Sequence, residues 1–389
     1  MSQGFYCYLN QRIDSIKLKK IKEHMQRIIN NRMTIKAGQL SKEEAIRIFK
    51  NQGSQDKIRL FQHSPLRATK IYRLKDLYDV YAMPPFDSTG KVNLYDLISV
   101  SPGFLLLFPS WQDLSRMPDY LPQPRLARIF NEYGEWVKIL GVADVADLNQ
   151  AVLLGRGNEI IKVSEALHEK KIVYIADRIA REKKKIVLIA GPSSAGKTTF
   201  MKRLAVQLLV NELKPEMISV DDYFYSHSNT PRDEYGRLDF ESINAVDIPL
   251  LNKHLLALIA GKDVLTPRFN FVSGRRQTGQ RISLPSNGIL LVEGIHCLNE
   301  KLTALISRSK KFKIYISALT QLNIDDHNRI STTDTRMIRR IVRDTHYRGY
   351  TPQGVLKQWS DVRKGEERNI YPFQEEADEM FNSALIYEP

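Results

Sequence analysis

The sequence predicts an α/β fold, a parallel sheet covered by helices, preceded by a smaller α+β domain. Two observations carry this. After residue 183, short apolar runs rich in β-branched residues (Lys184–Ala190, Met217–Val220, Gly288–Val292, Phe312–Ile316) alternate with helical periodicity. Strands with no polar face belong to sheets buried on both sides. Before residue 110, by contrast, short strands, turns and two amphipathic helices are interleaved, an α+β order.

In chain order, Ser15–Asn30 carries Ile16, Leu18, Ile21, Met25, Ile28 and Ile29 at helical spacing, with a Lys-rich opposite face. Met33–Gly38 reads as a strand. Ser41 followed by Glu44 is a capping box, and Ala45, Ile48 and Phe49 form the inner face of the helix it opens. Strands are expected at Lys70–Leu74 and Phe104–Phe108, with a turn from Pro84-Pro85 to Gly90 between them. From Trp111 to Glu182 helical periodicity dominates, broken at Pro118, Pro122 and Pro124, and Ile160–Glu182 reads as one long helix. Lys197–Val210 is a further amphipathic helix. The expected organisation is 1–110 as the α+β domain, 111–182 as a helical linker region, and 183–389 as the α/β domain.

The 389 residues include 58 Lys and Arg against 44 Asp and Glu, a net charge of +14. Residues 1–110 hold 18 of those cations and 9 of the anions. Such concentration of basic charge favours a polyanionic partner such as RNA or tRNA, the alternative being a solvated basic face. Two cysteines, Cys7 and Cys297, exclude a disulfide scaffold and a cysteine-based zinc site, and suit a reducing, cytoplasmic setting. The eight histidines show no HxxxH spacing. No apolar stretch approaches the ~20 residues of a membrane span.

Gly191-Pro192-Ser193-Ser194-Ala195-Gly196-Lys197-Thr198 satisfies GxxxxGK[ST] between a strand and a helix, with Thr199 following. Glycines let the backbone N–H groups turn inward onto phosphate oxygens, and the helix N-terminus adds positive potential. Lys197 reaches the outer phosphates and the Thr198 hydroxyl helps to hold Mg²⁺. A nucleoside triphosphate, ATP, is the expected ligand. Guanine specificity is not supported, because Asn252-Lys253-His254-Leu255 lacks the Asp of a guanine reader and lies in a helical pattern. Glu293 ends the Gly288–Val292 strand as a single carboxylate able to orient Mg²⁺, or as a structural acid.

Asp221-Asp222 follows the Met217–Val220 strand, where ligands bind in open α/β sheets. A carboxylate there can accept the proton of an attacking hydroxyl. Asp221 is chosen over Asp222 by position, the alternative being that both acids cap a turn. Arg336, Arg339, Arg340 and Arg343 recur on one helical face, offset only by Asp344, with Arg348 beyond. Such a stripe suits an anion between the guanidiniums, as in a lid over a migrating phosphoryl group. A nucleic-acid stripe or a solvated face are the other readings.

With loop, acid, strand-end Glu and arginine helix in this order, residues 184–389 resemble the uridine kinase/phosphoribulokinase family of P-loop kinases. The resemblance implies a catalytic Asp at Asp221 in Ser219–Phe224, and a nucleoside site with Phe224, Phe240, Glu241 and Phe269. It places Glu293 of Glu293-Gly294-Ile295 on Mg²⁺, alongside Thr198 and Asp221. Arg340 and Arg343, in Arg339–Asp344, and Arg348 then act on the phosphates, with Gln358 on the substrate side. Three departures fall in the acceptor site. The ribose-holding Asp is Glu241, the Tyr is Phe269, and the base-reading His falls at Gly274. The ATP half is intact and the base-reading half is altered.

Residues 5–110 resemble the editing (second additional) domain of threonyl-tRNA synthetases through Glu23–Met25, Lys42–Phe49, Asp79 and Ser88–Lys91. The Cys and His positions of that domain are Tyr81 and Pro85 here, which implies that hydrolytic editing is lost. The sequence enters this module midway, so an upstream part is expected to be missing. The combined expectation is ATP- and Mg²⁺-dependent phosphorylation of a nucleoside 5′-hydroxyl, with oligomerisation left open. Alternatives are a kinase for another small alcohol such as a sugar phosphate, and an RNA-binding regulator whose loop acts as a nucleotide switch.

Overall fold

The computed structural model describes residues 4–9, 13–101, 103–110, 113–271, 273–320 and 322–388. Trp111, where the helical stretch was expected to begin, lies outside them. The chain forms two compact units: residues 1–123 with 144–150 and 323–329, and residues 124–143, 151–322 and 330–389.

The first unit holds β1 (Gly4–Cys7), α1 (Ser15–Asn30), β2 (Lys36–Ser41), α2 (Lys42–Gln52), α3 (Gln55–His63), β3 (Ala68–Leu74), β4 (Leu77–Asp79), β5 (Asp96–Val100) and β6 (Gly103–Leu107). Two antiparallel three-stranded sheets result, ordered β1-β6-β5 and β2-β3-β4. The Ser41 capping box forms as expected, the hydroxyl accepting from the Glu44 N–H. Helix α1 has the expected limits, but Ile16 is 67% exposed while Leu18 packs with Ile13, Leu97 and Phe104. Ile16 lies ~200° around the helix from Leu18, off the stripe that continues through Ile21 and Met25. The strand expected at Met33–Gly38 runs later, at Lys36–Ser41, because its partner β3 sets the register.

Lys57, 2% exposed, lies against three carboxylates of this unit: Asp79 at 3.2 Å, Asp325 at 3.4 Å and Asp56 at 3.5 Å. His327 Nδ1 is 2.6 Å from the other Asp79 oxygen. Burial alone would raise the Asp79 pKa, but the His327 hydrogen bond and the Lys57 charge overcome it and hold the carboxyl at about 2. Lys57→Ala leaves these acids without their central cation. It is expected to destabilise this unit by about 3–5 kcal/mol, read by urea denaturation with circular dichroism.

The second unit begins with α4 (Pro124–Leu140); of α5 (Val145–Leu153), residues 145–150 belong to the first unit and 151–153 to the second, and α6 (Gly157–Arg181) follows. Pro124, expected to break a helix, instead starts one, where its missing N–H has no cost. Next come β7 (Ile186–Ala190), α7 (Lys197–Val210), β8 (Lys214–Ser219), α8 (Ile248–Ile259), the hairpin β9 (Val264–Asn270) and β10 (Arg275–Ile282), and β11 (Gly288–Glu293). The chain ends with β12 (Lys311–Ser317), α9 (Thr332–Tyr347), α10 (Pro352–Asn369) and β13 (Glu379–Asn382).

Five parallel strands form one sheet, ordered β13-β12-β7-β11-β8. The apolar run of β7 divides between its two faces. Ile186, Leu188 and Ala190 pack with Leu251, Leu255 and Leu258 of α8, while Val187 and Ile189 pack with Ile172, Ile175, Phe200 and Leu204 of α6 and α7. Helix α6 thus shares a core with the sheet.

Candidate active site

The loop after β7, the central strand, is shaped by contacts that only particular residues permit. A Cβ at Gly191 would lie 2.1 Å from the Ile316 carbonyl oxygen, so glycine is required for the backbone to pass β12. Gly196 takes φ +82 as the N-cap of α7 and, having no side chain, caps nothing. Lys197 Nζ donates back to the Gly191 and Pro192 carbonyls at 2.9 and 3.3 Å. Ala195 is buried and Ser194 holds φ +59. Thr198 and Thr199 are exposed in the first turn of α7. The Thr198 hydroxyl donates to Glu293 Oε1 at 3.0 Å, joining the loop to the end of β11.

Asp221 lies in the turn that ends β8. Burial first, and then the Glu293 carboxylate, push its pKa up to about 6 against the pull of Lys197 and Arg348. Asp221, Glu293, Lys197 and Arg348, four groups expected to act together, are therefore close enough to feel one another. Asp222 turns elsewhere. It accepts the Phe269 N–H at 3.1 Å and lines a separate cavity of about 400 Å³ with Ser219, Thr266, Arg268 and Gln280.

Beyond Asp221, three aromatic rings meet edge to face. Phe224 lies 5.5 Å from Phe240 and 5.8 Å from Phe269, and the latter two are 6.1 Å apart. Glu241 sits next to them. Burial, then the Glu366 charge, raise its pKa to about 7 although Arg340 opposes this. A Cβ at Gly365 of α10 would fall 2.7 Å from the Glu241 Cγ, so the longer acid depends on glycine there. Gln358, also on α10, accepts from Arg340 at 3.4 Å.

The arginine helix requires a correction. Four guanidiniums were expected on one face with only Asp344 to balance them. Arg336 instead is 1% exposed and pairs with Glu366, which is fully buried; it also donates to the Ser193 carbonyl at 3.0 and 3.1 Å. Arg339 pairs with Glu388 and donates to the Ser383 carbonyl. These two brace the fold and need no anion. Arg340 reaches the Ser193 hydroxyl at 3.0 Å and Asp344 at 3.3 Å; Arg343 and Arg348 share Asp344 at 2.7 and 3.7 Å. Asp344, 1% exposed, gathers these three guanidiniums.

Sequence reasoning missed Glu366, which also accepts the Ser193 N–H at 3.1 Å, and Ser383, which donates to the Ala195 carbonyl at 2.7 Å. Both lie far along the chain and carry no motif. It also missed His227, whose only signal is its place six residues after Asp221.

A central strand, a phosphate loop braced from α9 and α10, and an acid ending the neighbouring strand define a P-loop kinase fold, a phosphotransferase acting on a hydroxyl. Residues 186–385, just over half of the chain, match the Phosphoribulokinase / Uridine kinase family. The chain belongs to that family. It is 32% identical over 200 residues to a uridine kinase of Borrelia turicatae, covering 50% of this chain and 84% of the relative. To a uridine kinase of Deinococcus deserti it is 26% identical over 205 residues, covering 52% and 90%. Among solved structures, D-glycerate 3-kinase from Cryptococcus neoformans aligns at TM-score 0.36 and 16% identity, covering 56% of this chain and 92% of that one.

Proposed function

We propose that the chain transfers the γ-phosphoryl group of ATP to the 5′-hydroxyl of a nucleoside. The observation that carries this is Asp221, its proton affinity raised by burial and Glu293, between a phosphate loop and an aromatic corner. The aromatic rings offer faces to a planar base, and Glu241 offers oxygens to sugar hydroxyls.

In this reading Lys197 leaves its own loop carbonyls for the outer phosphates, and the N–H groups of residues 193–199 hold the phosphate chain. Asp221 aligns the acceptor hydroxyl and takes its proton. The new oxygen–phosphorus bond forms as the bond to the ADP oxygen breaks. Arg340, Arg343 and Arg348 stabilise charge on the transferred group. The Thr198 hydroxyl beside Glu293 fits Mg²⁺, which takes one or two protein oxygens and leaves the rest to phosphates. When bound, that ion neutralises phosphate charge.

The buried thiol of Cys297 and the free Cys7 suit a reducing, cytoplasmic setting. Among the described residues no helix is long and apolar enough to cross a membrane. For the first unit, we read an editing-domain relative that no longer hydrolyses, since Asp79 is engaged by Lys57 and His327. Its basic surface supports contact with tRNA, which added salt would weaken steeply.

An ATP-consumption assay over nucleosides, sugars and sugar phosphates tests the proposal. Nucleosides should be turned over and the others not; turnover of a sugar phosphate alone would overturn it. The base must be ionised, so kcat/KM should rise with pH through about 6 and fall tenfold per pH unit below that.

A further inference from the structure

We infer that His227 is the group that reads the hydrogen-bonding edge of the acceptor's base, which makes it the selectivity residue of this site. The inference rests on the nucleoside reading above and adds the residue that recognises the base. It starts from a steric fact. Gly274, at the head of β10, has φ +63, and a Cβ there would lie 2.1 Å from both Cε1 and Nδ1 of His227. The imidazole occupies the volume that any side chain at 274 would fill. Glycine at 274 and histidine at 227 are thus one device: the hairpin gives up its own side chain and admits a ring from the segment after Asp221.

That ring is held in place from its backbone. The His227 N–H donates to the Gly274 carbonyl at 3.0 Å, and the neighbouring Ser226 hydroxyl accepts the Arg276 N–H at 3.2 Å. Its centroid is 5.5 Å from Phe240 and 6.3 Å from Phe269, so it extends the aromatic corner. The three phenylalanine rings present only carbon. The imidazole alone brings ring nitrogens, one able to donate and the other to accept. No described residue hydrogen-bonds those nitrogens, and the side chain is exposed. A planar heteroaromatic ring with a carbonyl or ring nitrogen on its edge, that is a nucleobase, matches apolar faces and one mixed hydrogen-bonding group. A sugar, all hydroxyl and not planar, does not.

The test compares the wild type with His227→Ala and His227→Phe. It uses uridine, cytidine and adenosine with saturating ATP, and nucleoside binding is measured by calorimetry. His227→Phe keeps an aromatic ring of similar size but no nitrogen, so packing and edge reading separate. Both variants should raise KM for the preferred nucleoside about 10–100-fold with a much smaller change in kcat, and flatten the preference among bases. Because the side chain is exposed, both should fold with wild-type circular dichroism. If His227→Phe keeps wild-type KM and base preference while the wild type phosphorylates nucleosides, the inference is overturned and the functional reading stands. If the wild type neither binds nor phosphorylates any nucleoside, the functional reading fails and takes this inference with it.

Discussion

Asp221→Asn should lower kcat by about 10³-fold while ATP binding is unchanged and the melting temperature rises. The two halves of this result have one cause. In the unfolded chain Asp221 has an ordinary carboxylate pKa; in the folded protein burial and Glu293 lift it to about 6. The folded state therefore binds the proton more tightly, and the stability this gives below the ordinary pKa is lost as pH rises through about 6. At neutral pH the charged carboxylate works against folding. Asparagine removes that charge, and a gain of about 2–4 °C follows for a unit of this size if about 1 kcal/mol is recovered. Asparagine also cannot accept the acceptor's proton, so turnover collapses. ATP binding is spared because Lys197, Thr198 and the loop N–H groups do not depend on Asp221 for position. Equilibrium nucleotide binding, a thermal melt and steady-state kinetics on one preparation decide the matter. Near-normal turnover would remove Asp221 from the reaction, and a lower melting temperature would show that it is a structural acid.

Legibility in the sequence followed the range of the interactions. Of the strands that were seen, β7 and β11 are apolar on both faces because both faces are buried, and that writes a continuous run into the chain. Edge strand β8, with Lys214-Pro215-Glu216 before Met217, and β12, with its buried Lys311 and Lys313, show it only in part. β13, four residues of the segment Glu379–Asn382, carries no such run and is a strand only because β12 pairs with it. The phosphate loop was readable because its glycines and its lysine act within eight residues. The division of labour among the arginines was not. Helical spacing correctly placed Arg336, Arg339, Arg340 and Arg343 near one another, but which are paired depends on Glu366 and Glu388, acids delivered by other segments. The same holds at Gly274. Sequence alone registers a missing side chain there, whereas the fold fills the gap with His227 from 47 positions earlier.

The second large effect is expected at Arg336, and it differs in kind from that at Arg343 on the same helix. Arg336→Ala takes from the fully buried Glu366 its buried cation, leaving it the partly exposed Arg363 at 3.3 Å and the Tyr371 hydroxyl, and strips two donors from the Ser193 carbonyl. Breaking a buried pair costs about 3–5 kcal/mol, and a loss toward the lower end is expected because Arg363 still faces one Glu366 oxygen. The loop should loosen as well, because Glu366 also holds the Ser193 N–H and loses its own orientation when Arg336 is gone. Weaker ATP binding by tenfold or more should accompany the loss of stability. Arg336→Lys should not rescue it, because an ammonium cannot serve two Glu366 oxygens and a carbonyl with one planar fork. Arg336→Met combined with Glu366→Gln should recover most of the stability, since no buried charge is then left alone. Arg343 is partly exposed and, among the described residues, paired only with its neighbour Asp344, so Arg343→Ala should alter stability little and instead cut kcat by about 10²-fold. Denaturation midpoints and kinetics of these variants, measured side by side, separate an arginine that builds the phosphate loop from one that acts on what the loop holds. Equal stability losses at 336 and 343 would mean that the helix is one structural brace and that no part of it serves as a lid.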